Sequence, residues 1–240
     1  MKKVLAIFAH NTDILFGPSA SLIKYAQDRA DVRLVIAANQ QSETQEREHG
    51  NFDNWTIKET ELIAKHLGLK KLYLLNQTAE TLSQQSITII KQELKTIISR
   101  FKPDILVTFD PAGLSRHIDH ILLSVAVSEL FTELKTVTGK SVISLPKKLY
   151  HFVIPESIQQ KCNLEIESFP DEHITTMVDT SKFQPILIAA LKSHKYPGRY
   201  MRTLMRIYSA TDRHFEFFHL ADTTLPRPAT KETDLFERCD

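Results

Sequence analysis

Two short stretches carry side chains able to hold a metal ion or move a proton. Ala9-His10-Asn11-Thr12-Asp13 follows the first apolar run, and Thr108-Phe109-Asp110-Pro111-Ala112-Gly113-Leu114-Ser115-Arg116-His117-Ile118-Asp119-His120 follows a later one. Histidine nitrogen and aspartate oxygen are zinc ligands, and a catalytic zinc site has three protein ligands with a fourth position open. His117 and His120 lie three residues apart, so on a helical turn they project from one face. Asp119 between them can orient a histidine from behind. A set drawn from His10, Asp13 and His120 leaves His117 for acid or electrostatic work beside the metal. Taken singly, a histidine after a strand is commonly a polar loop residue, and the HxxH spacing recurs by chance. Only convergence of the two stretches makes a site.

Convergence depends on the elements that carry them. Short runs rich in β-branched and aromatic residues predict strands at Val4–Ala9, Val32–Ala37, Lys71–Leu75, Ile105–Phe109 and Lys148–Ile154. None alternates polar with apolar, as expected of strands covered on both faces of a parallel sheet. Helical periodicity falls between them, at Ser19–Ala30, Thr56–Leu67, Ser86–Phe101 and His117–Leu134. Thr56 with Glu59 reads as a capping box, Gly68 as a helix stop, and Pro103 ends the third helix. The alternation predicts an α/β, Rossmann-like doubly wound fold with a mostly parallel sheet. In an open sheet of order 3-2-1-4-5, strands one and four are neighbours where the order reverses, and ligands bind beyond their carboxyl ends. Both histidine-bearing stretches sit at such ends.

After Pro155 the pattern is mixed, with a helix expected over Ser181–His194 and a late strand over Phe215–Leu220. The expected organisation is one domain over residues 1–222 with a mixed C-terminal part. A polar, proline-containing tail over 223–240 reads as loose.

Composition narrows the functional classes. Of 240 residues, 30 are Lys or Arg and 29 are Asp or Glu, a net charge of +1. That balance argues against nucleic acid as the main partner. No apolar run approaches the 18 or so residues of a membrane span, so no membrane insertion is expected. Cys162 and Cys239 are the two cysteines, which rules out a disulfide framework and suits a reducing compartment. Met1-Lys2-Lys3 and the apolar run after it imitate a signal peptide, but the run stops at His10, short of the usual length. A buried first strand and a cytoplasmic location are therefore expected.

On these residues the sequence resembles the LmbE-like, or PIG-L, zinc-dependent de-N-acetylases. Ala9 to Asp13 aligns with the family's A-H-P-D-D, and Thr108 to His120 resembles its T-x-D-x-x-G-x-[SYG]-G-H-x-[DN]-H. Lys58-x-x-Glu61-Leu62, Ala190 to His194 and Glu216-Phe217-Phe218 resemble further family segments, so the likeness spans about residues 1–220. It implies zinc held by His10, Asp13 and His120. It implies that His117 stabilises the oxyanion and protonates the leaving amine, with Asp119 orienting it. Asp110 and Gly113 would shape the loop below the site, and His194 would lie near the substrate end. The implied substrate is a small-molecule N-acetyl sugar conjugate of N-acetylglucosaminyl type, and a homo-oligomer is left open.

The departures fall on the chemistry. Thr12 stands where the family has the aspartate that takes the proton of the attacking water, and Asn11 stands in place of proline. A hydroxyl can orient water but cannot hold its proton near neutral pH, and a missing general base typically forfeits roughly 10²–10⁴-fold in rate. Asp110 is the first candidate for a substitute base, with Glu43 and Glu46 behind it. Arg116 replaces a small residue beside His117, where it would crowd the pocket or recruit an anionic group. The expected activity is metal-assisted amide hydrolysis, weakened at Thr12. The alternative is an impaired relative that binds metal and a sugar or partner. Lys195 to Arg206 reads as a solvated basic face, Trp55 as a helix staple, and Cys162 as a small buried hydrophobe.

Overall fold

Val4 to Phe8 are wholly buried, and this run forms an inner strand of the sheet. The structure is a computed structural model describing residues 1–38, 57–77, 82, 87–136, 145–193, 202, 205–207, 209 and 214–239. In chain order the elements begin with β1 (Lys3–Phe8), α1 (Asp13–Phe16), α2 (Ser19–Gln27), β2 (Asp31–Ala38), α3 (Ile57–His66) and β3 (Lys71–Gln77). Next come α4 (Ile87–Phe101), β4 (Ile105–Phe109), α5 (Gly113–Arg116), α6 (Ile118–Thr136), β5 (Lys148–Val153) and α7 (Glu156–Cys162). After a 3₁₀ turn at Asp171–His173 follow β6 (Thr176–Asp179), α8 (Gln184–Ser193) and β7 (Phe215–Thr223).

Local chemistry accounts for the boundaries. In α4, Ile90, Leu94, Ile98 and Phe101 are buried and form one stripe. The helix ends two residues before Pro103, with Lys102 in the left-handed region. Gly68 follows α3 at φ +77°. Its N–H reaches the Lys65 carbonyl and the Leu69 N–H reaches that of Ala64, the paired bonds of a Schellman stop. The capping pair Thr56–Glu59, Trp55, Glu43, Glu46, His194 and the 195–200 stretch lie outside the residues described, Glu59 as to its side chain.

One sheet of order β3-β2-β1-β4-β5-β7-β6 runs through the molecule. Its first five strands take the order 3-2-1-4-5 expected from sequence and are parallel; β7 pairs antiparallel with both β5 and β6. The order reverses between β1 and β4, whose register matches Val4 with Ile105 and Ala6 with Val107. Both strands end two residues later, so the chain leaves them side by side. The Thr108 hydroxyl bonds the Ile7 carbonyl at 3.0 Å across this seam, and the rings of Phe8 and Phe109 lie 5.2 Å apart beneath the exit points.

The C-terminal segment corrects the expectation of a loose tail. Glu232, Leu235, Phe236 and Cys239 are buried. Lys148 in β5 donates to Glu232 at 2.7 Å, and the Tyr150 hydroxyl donates to the other oxygen of Glu232 at 2.6 Å. A cation buried in a strand needs such partners, and Glu232 of the segment that read as loose supplies one. Among the described residues, no helix is long and apolar enough to cross a membrane.

Candidate metal centre at the strand-order reversal

The exits of β1 and β4 bring the two histidine-bearing stretches together. His10 follows β1, and Asp13 opens α1, where its N–H returns to the His10 carbonyl. One Asp13 oxygen accepts the His10 backbone N–H at 2.7 Å. On the other side, α5 and the first turn of α6 carry His117, Asp119 and His120.

The loop before His120 is under backbone strain. Gly113, Leu114 and Arg116 have φ of +69°, +57° and +56°, a costly arrangement that surrounding contacts must hold in place. Asp110 supplies part of that hold, because its carboxylate accepts the N–H of Leu114 at 2.9 Å and, more weakly, of Ala112 at 3.4 Å. Burial pushes the Asp110 carboxyl up, against those two bonds. It thus shapes the loop, one of its two sequence expectations. Space at Gly113 is also tight, since a Cβ there would come within 2.8 Å of the His120 Cβ. Arg116 is exposed and pairs with Glu167 at 2.5 Å.

The strained loop fixes the tautomer of His120. Its Nδ1 lies 2.9 Å from the Gly113 carbonyl and 3.2 Å from the Ser115 hydroxyl. A carbonyl can only accept, so the ring carries its N–H at Nδ1 and Nε2 keeps the lone pair. The Phe109 ring stacks on His120 at 4.2 Å. His10 is fixed likewise: its Nε2 lies 3.1 Å from a carboxylate oxygen of Asp119, leaving the lone pair on Nδ1.

Those two lone-pair nitrogens face each other at 3.1 Å. Asp13 sits beside both, 3.3 Å from His120 Nε2 and 3.7 Å from His10 Nδ1. Two lone pairs and a carboxylate at such distances repel unless positive charge lies among them. Four-coordinate zinc with bonds of 2.0–2.1 Å separates its ligands by roughly 3.3 Å, so the donor set fits a zinc-sized cation. A proton is the other way to supply that charge. Burial would depress the His120 imidazole, but Asp13 and the Gly113 carbonyl raise it above its ordinary value. Burial would raise the Asp13 carboxyl, but His120 and His10 hold it below the usual range.

His117 stands beside the trio. His10, His117 and His120 each bring a nitrogen within 4.8 Å of the others, looser than the distances within the trio, and His117 is exposed. Its Nδ1 accepts the Asp119 backbone N–H at 3.2 Å, so the neutral ring carries its proton on Nε2. Burial, together with the charges of His10 and His120, lowers its pKa. This arrangement differs from the sequence reading at Asp119. Its carboxylate touches His10 rather than His117, and only its backbone reaches His117. The other Asp119 oxygen is buried without a partner among the described residues. Thr12 is half-buried at the N-cap of α1 and makes no side-chain capping bond.

Sequence reasoning missed Glu216 as a support. Its buried carboxylate accepts the N–H groups of Ala20 and Ser21 at 3.0 and 2.7 Å, and no local pattern links residues so distant.

No curated protein matches the chain. Among solved structures it resembles the 4-carboxy-2-hydroxymuconate hydratase GalB of Pseudomonas putida KT2440, with TM-score 0.71, 13% identity, and 96% and 100% of the two chains covered. It also resembles the N,N'-diacetylchitobiose deacetylase of Pyrococcus horikoshii, with TM-score 0.66, 19% identity, and 91% and 83% covered. A deacetylase of teicoplanin biosynthesis superposes with TM-score 0.63 at 13% identity over 91% of this chain and 97% of that one. These likenesses concern the fold, which among the three carries both a hydratase and deacetylases; the reaction has to be argued from the site. The family model described as PIG-L, GlcNAc-PI de-N-acetylase, matches residues 5–131, just over half of the sequence and both histidine-bearing stretches. With that match, the chain belongs to the PIG-L family.

Proposed function

We propose that the protein is a zinc-dependent hydrolase that removes the acetyl group from an N-acetylglucosaminyl-type amide, releasing acetate and a free amine. The observation that carries this reading is the convergence of His10 Nδ1, Asp13 and His120 Nε2 within 3.1–3.7 Å. These three would hold the ion. Zinc supplies a Lewis acid for the amide carbonyl and acidifies water toward neutral pH.

The remaining work falls to this chain's own groups. His117, neutral and bearing its proton on Nε2, is an exposed donor for the carbonyl oxygen as it gains charge. Protonating Nδ1 would break its bond from the Asp119 N–H, which favours the neutral ring in this role. Asp119 holds His10 through the ring nitrogen not used for the ion. Thr12 can orient the attacking water but cannot hold its proton. Asp110 has its carboxylate engaged by backbone amides, which weakens it as a replacement base.

Thr12 favours a second reading, a family member that binds metal and a sugar or partner but turns over little substrate. One set of measurements separates the two. Purified protein should hold about one zinc per chain and release free amine slowly from N-acetylglucosaminyl conjugates, and Thr12→Asp should accelerate release. Zinc without turnover in either form favours the binder. Protein that takes up no divalent ion overturns both.

A further inference from the structure

We propose that Glu216, in β7 and outside the loops that carry the candidate ligands, is a positioning residue for Asp13. The proposal rests on the metal-centre reading above, since Asp13 is a ligand only there.

The start of α2 is unusual. The N-cap position of α2 is Pro18, which offers no capping side chain. The N–H groups of the second and third helical residues, ordinarily met by the cap, are those of Ala20 and Ser21. Glu216 accepts both, one on each oxygen, at 3.0 and 2.7 Å. A residue about 195 positions downstream therefore caps α2. The residue is 3% exposed. Burying such a charge is costly without charge-assisted bonds, and the positive end of the helix adds to the attraction. The helix start is consequently held in one place.

Continuous, short-range bonding carries that placement to Asp13. The Ser19 hydroxyl, at the first residue of α2, donates to the Ile14 carbonyl in α1. The Ser19 N–H bonds the Gly17 carbonyl at 2.8 Å, and the Gly17 N–H bonds the Asp13 carbonyl at 2.7 Å. The turn has no slack: a Cβ on Gly17 would lie 2.8 Å from the Phe8 ring and 2.9 Å from the Asp13 carbonyl. Asp13 in turn bonds the His10 backbone through both its N–H and its side chain. From Glu216 to the donor trio, each step is a hydrogen bond or a contact that resists sliding.

Such a brace sets where Asp13 points and thereby the affinity for the ion. Loss of supporting partners behind metal ligands commonly costs 10–100-fold in affinity. The test uses Glu216→Gln, which keeps the shape but presents one acceptor where two are needed. Zinc affinity is measured by chelator competition on the full chain, alongside amide hydrogen exchange in metal-free protein. The proposal expects zinc affinity to fall about tenfold. It also expects faster exchange at Asp13 and Gly17 as well as at Ala20 and Ser21, with β1 unchanged. Faster exchange confined to α2 with zinc affinity unchanged overturns it and leaves Glu216 a plain cap. Should the wild-type chain hold no zinc, the metal-centre reading fails, and exchange at Asp13 and Gly17 still decides whether Glu216 positions that turn. If Glu216→Gln does not fold, Ser19→Ala removes the hydroxyl branch to Ile14 and leaves the backbone branch through Gly17, so it should give a smaller shift of the same sign in both measurements, and no shift in either overturns the proposal.

Discussion

His10 Nδ1 and His120 Nε2 face each other at 3.1 Å, each ring having committed its N–H elsewhere. Asp119 takes the proton side of His10, and the Gly113 carbonyl takes that of His120. The pair is therefore an acceptor–acceptor contact that a metal ion or a proton would relieve. His120→Ala removes one of the two nitrogens and should abolish zinc binding in a metal analysis of the purified protein. For the wild type, zinc at 1,000 times its Kd should stabilise the fold by about 4 kcal/mol, read as a rise in Tm that a chelator reverses.

Asp119→Ala should weaken zinc binding by about 10–100-fold, because the His10 ring loses the carboxylate that fixes its tautomer. Chelator competition measures this. Unchanged affinity would show that the Asp119–His10 contact does not set the ligand.

Gly113→Ala meets two obstacles, a left-handed φ of +69° and a Cβ 2.8 Å from that of His120. Backbone strain of this kind costs of order 1–3 kcal/mol. The variant should unfold at lower urea and bind zinc more weakly, since relief of the clash moves a ligand.

The Lys148–Glu232 pair is almost wholly buried, at 2% and 1% exposure. Glu232→Ala strands the lysine and should cost about 3–5 kcal/mol, measured by urea unfolding. Removing residues 224–240 should destabilise the protein for the same reason, because that segment carries Glu232 and the buried Leu235 and Phe236.

His151 gives a pH signature away from the metal. Burial, reinforced by the charge of His219, lowers its pKa from 6.5 to about 4. Above pH 6.5 the imidazole is neutral in both folded and unfolded chains. Between 6.5 and about 4 the unfolded chain takes up a proton that the folded chain refuses, so stability falls as the pH falls. Over that gap the loss is about 3 kcal/mol at about 1.4 kcal/mol per unit. His151→Gln should flatten unfolding free energy against pH by that amount relative to wild type.

Read from the sequence, the alternation of strands and long helices as far as β5, the 3-2-1-4-5 half of the sheet, and His10, Asp13, His117 and His120 as a converging group were legible, whereas α1, α5, α7 and β6 were not. The reason is that each legible feature rests on a local signal. Apolar runs such as Val4–Phe8 mark buried strands, the stripe Ile90–Leu94–Ile98 marks a helix face, and donor-rich turns follow directly after strands. Tertiary structure alone decided that Asp119 serves His10, that Asp110 is engaged by the Leu114 and Ala112 amides, that Glu216 caps α2, and that Glu232 draws the last residues into the core. Most of these join positions about 80 to 200 residues apart. At Asp110 and Asp119 the choice of partner follows from the loop strained around Gly113 and from which ring nitrogen each neighbour leaves free. A carboxylate has the same letter whether it meets water, an imidazole or a helix end, and only packing chooses among them.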